Sequence, residues 1–202
     1  MPGDTREVRP GEALDWNALA AYLRWHLASH AIAGLDLERD IAVSQFPGGH
    51  SNLTYLLRWG GAELVLRRPP LGPVPPKAHD MAREFRWLSA VHPVFPLAPR
   101  PYLVCEDTSI IGSVFYVMER RRGVVVRREE PVGLANREDA RRHLSEAMVD
   151  TLADLHALDI TRGPIASLGK PAGFVERQVR GWRERWEGST LDEVPEMDAL
   201  ST

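Results

Sequence analysis

Two strand-like runs are separated by Gly48-Gly49-His50-Ser51-Asn52. Glycines without Cβ atoms let a backbone close on a polyphosphate, with its N–H groups facing the oxygens. A later strand ends in Arg67-Arg68. Strand alternation sends the two guanidiniums to opposite faces, Arg68 with Leu64 and Leu66, Arg67 with Val65. Farther on, Glu84 stands between the apolar Met81 and Phe85 of a helical segment. A carboxylate on the inner edge of that helix can grip a cation at the strand end and hold it against a phosphate. Taken singly, each feature has a plainer reading: a hairpin, two solvated arginines, a surface glutamate.

These residues need a frame. Residues 41–46 read as a strand, broken by 47–52; residues 53–59 form a second, Gly60-Gly61 a tight hairpin turn, and residues 62–68 a third. Five prolines within 69–76 demand a loop. Met81, Phe85 and Leu88 place a helix over 79–91, stopped by Pro93, Pro96 and Pro99. Strands at 102–105 and 113–118 flank a turn at Asp107-Thr108-Ser109, and Cys105 reads as a buried apolar filler. Upstream, Trp16, Leu19, Ala20, Leu23 and Leu27 keep the helical period over 15–29, with Gly34 as a stop and residues 1–13 as a mobile lead. Downstream, a helix runs over 136–158 from Asn136 as N-cap, with Leu144, Ala147, Met148, Thr151, Leu152 and Leu155 as its apolar stripe. Another covers 173–187 and is expected to bury Trp182 and Trp186.

The whole reads as α+β: an N-terminal segment over 1–35, a lobe of five antiparallel strands and one helix over 36–119, and helices over 120–202. A charged connector, Glu119-Arg120-Arg121-Arg122-Gly123, marks the boundary. The balance of 25 basic and 28 acidic residues, net −3, argues against a nucleic-acid or membrane-surface partner. Arg177, Arg180, Arg183 and Arg185 lie among tryptophans but alternate with Glu176, Glu184 and Glu187, which favours an amphipathic helix over a strand-binding one. One cysteine, no apolar N-terminal run and no long apolar stretch suit a cytoplasmic protein.

The order of the parts is that of a protein-kinase N-lobe: strand, glycine loop, strand, strand with a terminal cation, helix with a glutamate, two strands, then a polar connector into a long helix. Protein kinases hold a strand lysine with a helix glutamate in this way. The stretch from Phe46 to Tyr55 resembles the glycine loop of the aminoglycoside-phosphotransferase-like family, in the branch associated with acyl-CoA dehydrogenases. Leu66-Arg67-Arg68-Pro69-Pro70, Arg83-Glu84-Phe85, Phe115-Tyr116-Val117-Met118-Glu119-Arg120, the stretch from Leu152 to Asp159, and Gly173-Phe174-Val175-Glu176-Arg177-Gln178 resemble further segments of that branch.

The resemblance implies a protein-kinase-like fold and ATP as phosphate donor. Gly48, Gly49, His50, Ser51 and Asn52 would cover the phosphates; Arg67 would stand where the family usually has lysine, with Glu84 as its partner; and the backbone of Met118, Glu119, Arg120 and Arg121 would meet the adenine. Arginine keeps the charge but presents a planar fork of different reach. The family's catalytic loop, His-Gly-Asp with a downstream asparagine, and its metal-binding aspartate have no match: none of the seven histidines is followed by Gly-Asp. The expectation is therefore a fragment carrying the nucleotide-binding portion of a small-molecule kinase, inactive alone, with Mg²⁺ ligands elsewhere. The other class considered is a non-catalytic nucleotide-binding or protein-interaction module. The acceptor is an unidentified small-molecule hydroxyl compound, and His156 is read as a packed or capping group.

Overall fold

A computed structural model describes residues 4–47, 52–72, 79–126, 131, 133, 134, 137–189 and 194–200. The chain divides into two compact units, 1–159 and 160–202.

In the first unit, helix α1 (Trp16–Leu27) starts where the Asp15 carboxylate accepts the Ala18 N–H at 2.9 Å. Its apolar stripe buries Leu19, Leu23 and Leu27 completely. Burial of that kind is worth about 1.5–3 kcal/mol per side chain. The stripe joins one face of a five-stranded antiparallel sheet, made of β1 (Ile41–Gln45), β2 (Leu53–Trp59), β3 (Ala62–Arg68), β4 (Pro101–Cys105) and β5 (Phe115–Glu119) in the order β1-β2-β3-β5-β4. Leu53, Tyr55, Leu57 and Trp59 of β2 share that core with Leu64, Leu66, Cys105, Phe115 and Val117. Helix α2 (Met81–Val91) follows β3 and packs beside β4 and β5, with Asp80 capping it through the Arg83 N–H at 2.9 Å.

Several expectations need correction. Residues 4–14 are not a free lead. Arg6 exchanges two backbone hydrogen bonds with Gln45, each 2.8 Å, and the buried Gln45 amide bonds Arg9 N and the Glu12 carboxylate. β1 is an edge strand, and this segment satisfies groups that would otherwise stay open. Gly34 does not stop α1, which ends at Leu27 with Ala28 as its C-cap. Instead Gly34 packs against the β2–β3 turn, its carbonyl accepting the Gly61 N–H at 2.7 Å. A Cβ on Gly60 (φ +62°) would sit 2.6 Å from Asp36 Cβ, so turn conformation and close packing both require glycine there.

Beyond the sheet, α3 (Glu138–His156) begins at Arg137 without a side-chain cap; the expected cap, Asn136, lies outside the described residues. Its stripe of Leu144, Met148, Leu152 and Leu155 is exposed, as is His156.

The second unit holds α4 (Gly163–Ala166), α5 (Phe174–Glu187) and α6 (Pro195–Leu200). Of the two α5 tryptophans expected to be packed away, Trp186 is half-buried and Trp182 is exposed. Trp182 is 66% exposed, with the Arg185 guanidinium 4.1 Å from its ring centroid. Phe174, Val179, Trp182 and Trp186, with Met197 and Leu200, line an apolar groove of about 630 Å³. A single six-residue helix offers α5 too little apolar surface to cover its face. Among the described residues no helix is long and apolar enough to cross a membrane.

Candidate functional site

The sheet face opposite α1 is defined by register. Arg67 lies across from Thr54 on β2 and Tyr116 on β5; Val65 lies across from Leu56 and Met118; Glu63 lies across from Arg58. Residues opposed in antiparallel strands share a face. One side of β3 therefore runs from the acidic Glu63 through Val65 to the cationic Arg67.

Arg67 meets Glu84 of α2, Nη1 to Oε2 at 3.3 Å, both side chains about one-third exposed. Its Nε is buried with no hydrogen-bond partner among the described residues. The same carboxylate oxygen accepts the Tyr116 hydroxyl at 3.0 Å, and Oε1 accepts Asn52 Nδ2 at 3.2 Å. Asn52 is buried, and its Oδ1 lies 2.6 Å from His79 Nδ1, whose N–H donates in this amide orientation. His79 sits just ahead of α2 in the left-handed region, φ 55°. Four side chains thus converge on or link to Glu84 from the loop after β1, β3, the start of α2 and β5. Burial, opposed by Arg67 and reinforced by Glu84, pushes the Tyr116 hydroxyl far above its usual range, so it stays a donor.

Arg68 does something different. It is 5% exposed, on the α1 side, and donates Nη1 to the Ile111 carbonyl at 3.3 Å. Burial draws its pKa down, while the nearby Tyr55 and Glu12 push it back up. The alternation expected from sequence therefore separates a site arginine from a core arginine.

The loop between β1 and β2 is closed at its mouth by the Phe46 N–H donating to Thr54 O at 3.0 Å. Gly48, Gly49, His50 and Ser51 lie outside the described residues. At the connector after β5, the Glu119 N–H is committed to Arg100 O at 2.7 Å, and its carboxylate accepts the Arg100 N–H at 3.0 Å. Arg121 reaches Glu119 Oε2 at 3.0 Å and the carbonyls of Pro96 and Ala98 at 2.5 and 2.9 Å. Arg120 turns the other way, to Glu63 at 2.5 Å and to Asp4 at 2.9 Å. Met118 is partly exposed on the Arg67 face.

Tyr116, His79 and the Glu63 cluster were missed by sequence reasoning. Tyr116 could have been found from the β5 alternation, which puts it on the Arg67 face; nothing in the sequence brings His79 to Asn52. Among the described residues no group of three or more His, Cys, Asp or Glu side chains could hold a metal ion.

Known proteins match this chain over most of its length. A sequence model of the phosphotransferase enzyme family matches residues 42–202. The chain is 39% identical over its whole length to acyl-CoA dehydrogenase family member 11 of Mus musculus, and 38% identical over 98% of its length to the Homo sapiens protein of the same name. It is 34% identical, over 98% of its length, to family member 10 of Mus musculus. It spans about a quarter of the family member 11 proteins and 18% of family member 10. A crystal structure from Ralstonia eutropha assigned as an aminoglycoside phosphotransferase superposes with a TM-score of 0.67 at 28% identity, covering 94% of this chain and 52% of that one.

Proposed function

The chain belongs to the phosphotransferase enzyme family and has its kinase-like α+β fold, and from that premise we propose that it is the nucleotide-binding portion of an ATP-dependent kinase acting on a hydroxyl of a small molecule. The observation that carries this reading is the Arg67–Glu84 pair at 3.3 Å, set on the same face as Val65 and Met118. The apolar pair suits a flat base, and the cation beyond it suits the phosphates. Gly48 to Asn52 would fold over those phosphates, and the peptide groups from Met118 to Arg121 would meet the base edge. Because the Glu119 N–H is already donated, the donor to the base comes from another peptide of that segment.

In this reading the protein's own contribution is positioning and charge stabilisation of the transferring phosphoryl group. Arg67 offers a planar fork rather than a point charge. Mg²⁺ would be held by residues other than those of this site. With one cysteine, buried at position 105, the chain suits a reducing compartment, and we place it in the cytoplasm without nucleic-acid or membrane partners.

The test has two arms. Calorimetric titration of the complete gene product with ATP and Mg²⁺, wild type against Glu84→Ala, should show binding that weakens roughly tenfold or more in the variant. A screen of hydroxylated acceptors for ATP consumption should then find turnover. Binding without turnover under every acceptor supports the second reading, a non-catalytic nucleotide-binding module. No nucleotide binding by the wild type refutes both.

A further inference from the structure

We propose that Tyr116 and Asn52 are positioning residues that hold Glu84 independently of Arg67, so that Arg67 can turn its remaining N–H groups to a phosphate without leaving a carboxylate stranded. The proposal rests on the nucleotide-binding reading above and says how that site is made to work with arginine.

The distances carry it. A charge-assisted N–H···O bond normally closes to about 2.7–2.9 Å. Arg67 stands 3.3 Å from Glu84 Oε2, while the neutral Tyr116 hydroxyl stands 3.0 Å from the same oxygen and Asn52 serves the other at 3.2 Å. Glu84 is thus not held by its cation alone; it has a neutral donor on each oxygen. Both donors are fixed from behind. Tyr116 is 1% exposed on β5, its ring packed 6.4 Å from that of Phe85, and Asn52 is 6% exposed and tied by its Oδ1 to His79. Arg67 meanwhile keeps a buried Nε without a partner.

A carboxylate whose only partner left would face the cost of an unsatisfied charged group, more than that of losing an ordinary hydrogen bond. With Tyr116 and Asn52 in place, an arriving phosphate can draw on Arg67 while Glu84 stays solvated by protein. The same geometry fixes where Glu84 waits, and so where Arg67 is presented. Asn52 also directly precedes β2, so its hydrogen bond to Glu84 ties the start of that strand to α2.

The experiment separates a positioning role from a merely structural one. Binding of ADP and of adenosine, each with Mg²⁺, is measured by calorimetry on the complete gene product for wild type, Tyr116→Phe and Asn52→Ala, with thermal unfolding as a check on folding. The expected result is that each variant loses roughly tenfold in ADP affinity, the order of one hydrogen bond to a charged group, and little in adenosine affinity. Unchanged ADP affinity in Tyr116→Phe, or equal losses for ADP and adenosine in both variants, overturns the inference while leaving the nucleotide site standing. If one variant does not fold, the other decides. A wild type that binds ADP no better than adenosine overturns the phosphate role of Arg67 and this inference together.

Discussion

Two adjacent arginines illustrate how one residue step changes what a side chain is for. Arg67 is about one-third exposed and paired with Glu84; Arg68 is buried on the other face and donates to the Ile111 carbonyl. Removing Arg68 leaves a cavity and an unpaired carbonyl, whereas removing Arg67 leaves Glu84 still held by Tyr116 and Asn52. Arg68→Ala should therefore destabilise the fold by about 2–4 kcal/mol. Arg67→Ala should stay within about 1 kcal/mol of wild type while lowering ADP affinity roughly tenfold or more. Denaturant unfolding and nucleotide titration on the same samples check this; the reverse pattern would mean that the two roles have been exchanged. Sequence alternation alone could separate the two arginines by face, since Leu64 and Leu66 are strongly apolar and mark the core side. It could not say that the core side would keep its arginine charged and buried, because the Ile111 carbonyl comes from the β4–β5 connection, 43 positions away.

At the scale of elements, the five strands and the helix carrying Glu84 were legible because each obeys one period and the breaks are made by Pro, Gly or the Asp107-Thr108-Ser109 turn. The polar contacts between elements were not. Glu63 shows why. On β3 it looks like an ordinary strand-surface residue, yet the fold brings Arg58 from β2 to 3.3 Å and Arg120 and Arg122 from the connector to 2.5 and 2.8 Å. Arg120 in turn holds Asp4, so one carboxylate ties the β2–β3 hairpin to the connector and, through Arg120, to the N-terminal segment. Burial works against ionising Glu63, but Arg120 and Arg122 prevail and hold its carboxyl below the ordinary glutamate value of 4.5. A carboxyl depressed in the folded state stabilises above its unfolded pKa, and that contribution is lost as pH falls through the folded one. Glu63→Gln should accordingly cost about 1 kcal/mol at pH 7, the order for partly exposed ion pairs. The gap in Tm between variant and wild type should close as pH falls below the glutamate range. A gap that persists unchanged at low pH would show that the charge is not what Glu63 contributes.

For the molecule as a whole, apolar burial is unevenly shared. The fifteen residues of the main core cluster all lie between Leu19 and Val117, in the sheet, α1 and, for Ile111, the β4–β5 connection. Among the described residues of the second unit only Ile165 is buried, while Phe174, Val175, Val179 and Trp182 remain 47–72% exposed. Hydrophobic pattern foretold the helix at 173–187 but not its exposure, because periodicity shows which face is apolar and not what lies against it. A 14-residue helix with an uncovered apolar face draws little from tertiary packing, and helices of about that length are marginal alone. β2 and β3, paired over seven positions and buried on the core side, should open only with the whole first unit. Native-state hydrogen exchange on this 202-residue chain should then show amides of β2 and β3 exchanging at least about a thousandfold more slowly than those of α5, a difference of roughly 4 kcal/mol in opening free energy. Comparable protection in α5 and β3 would mean that α5 is covered in solution, and the even division of stability it implies would contradict the burial pattern from which this expectation is drawn.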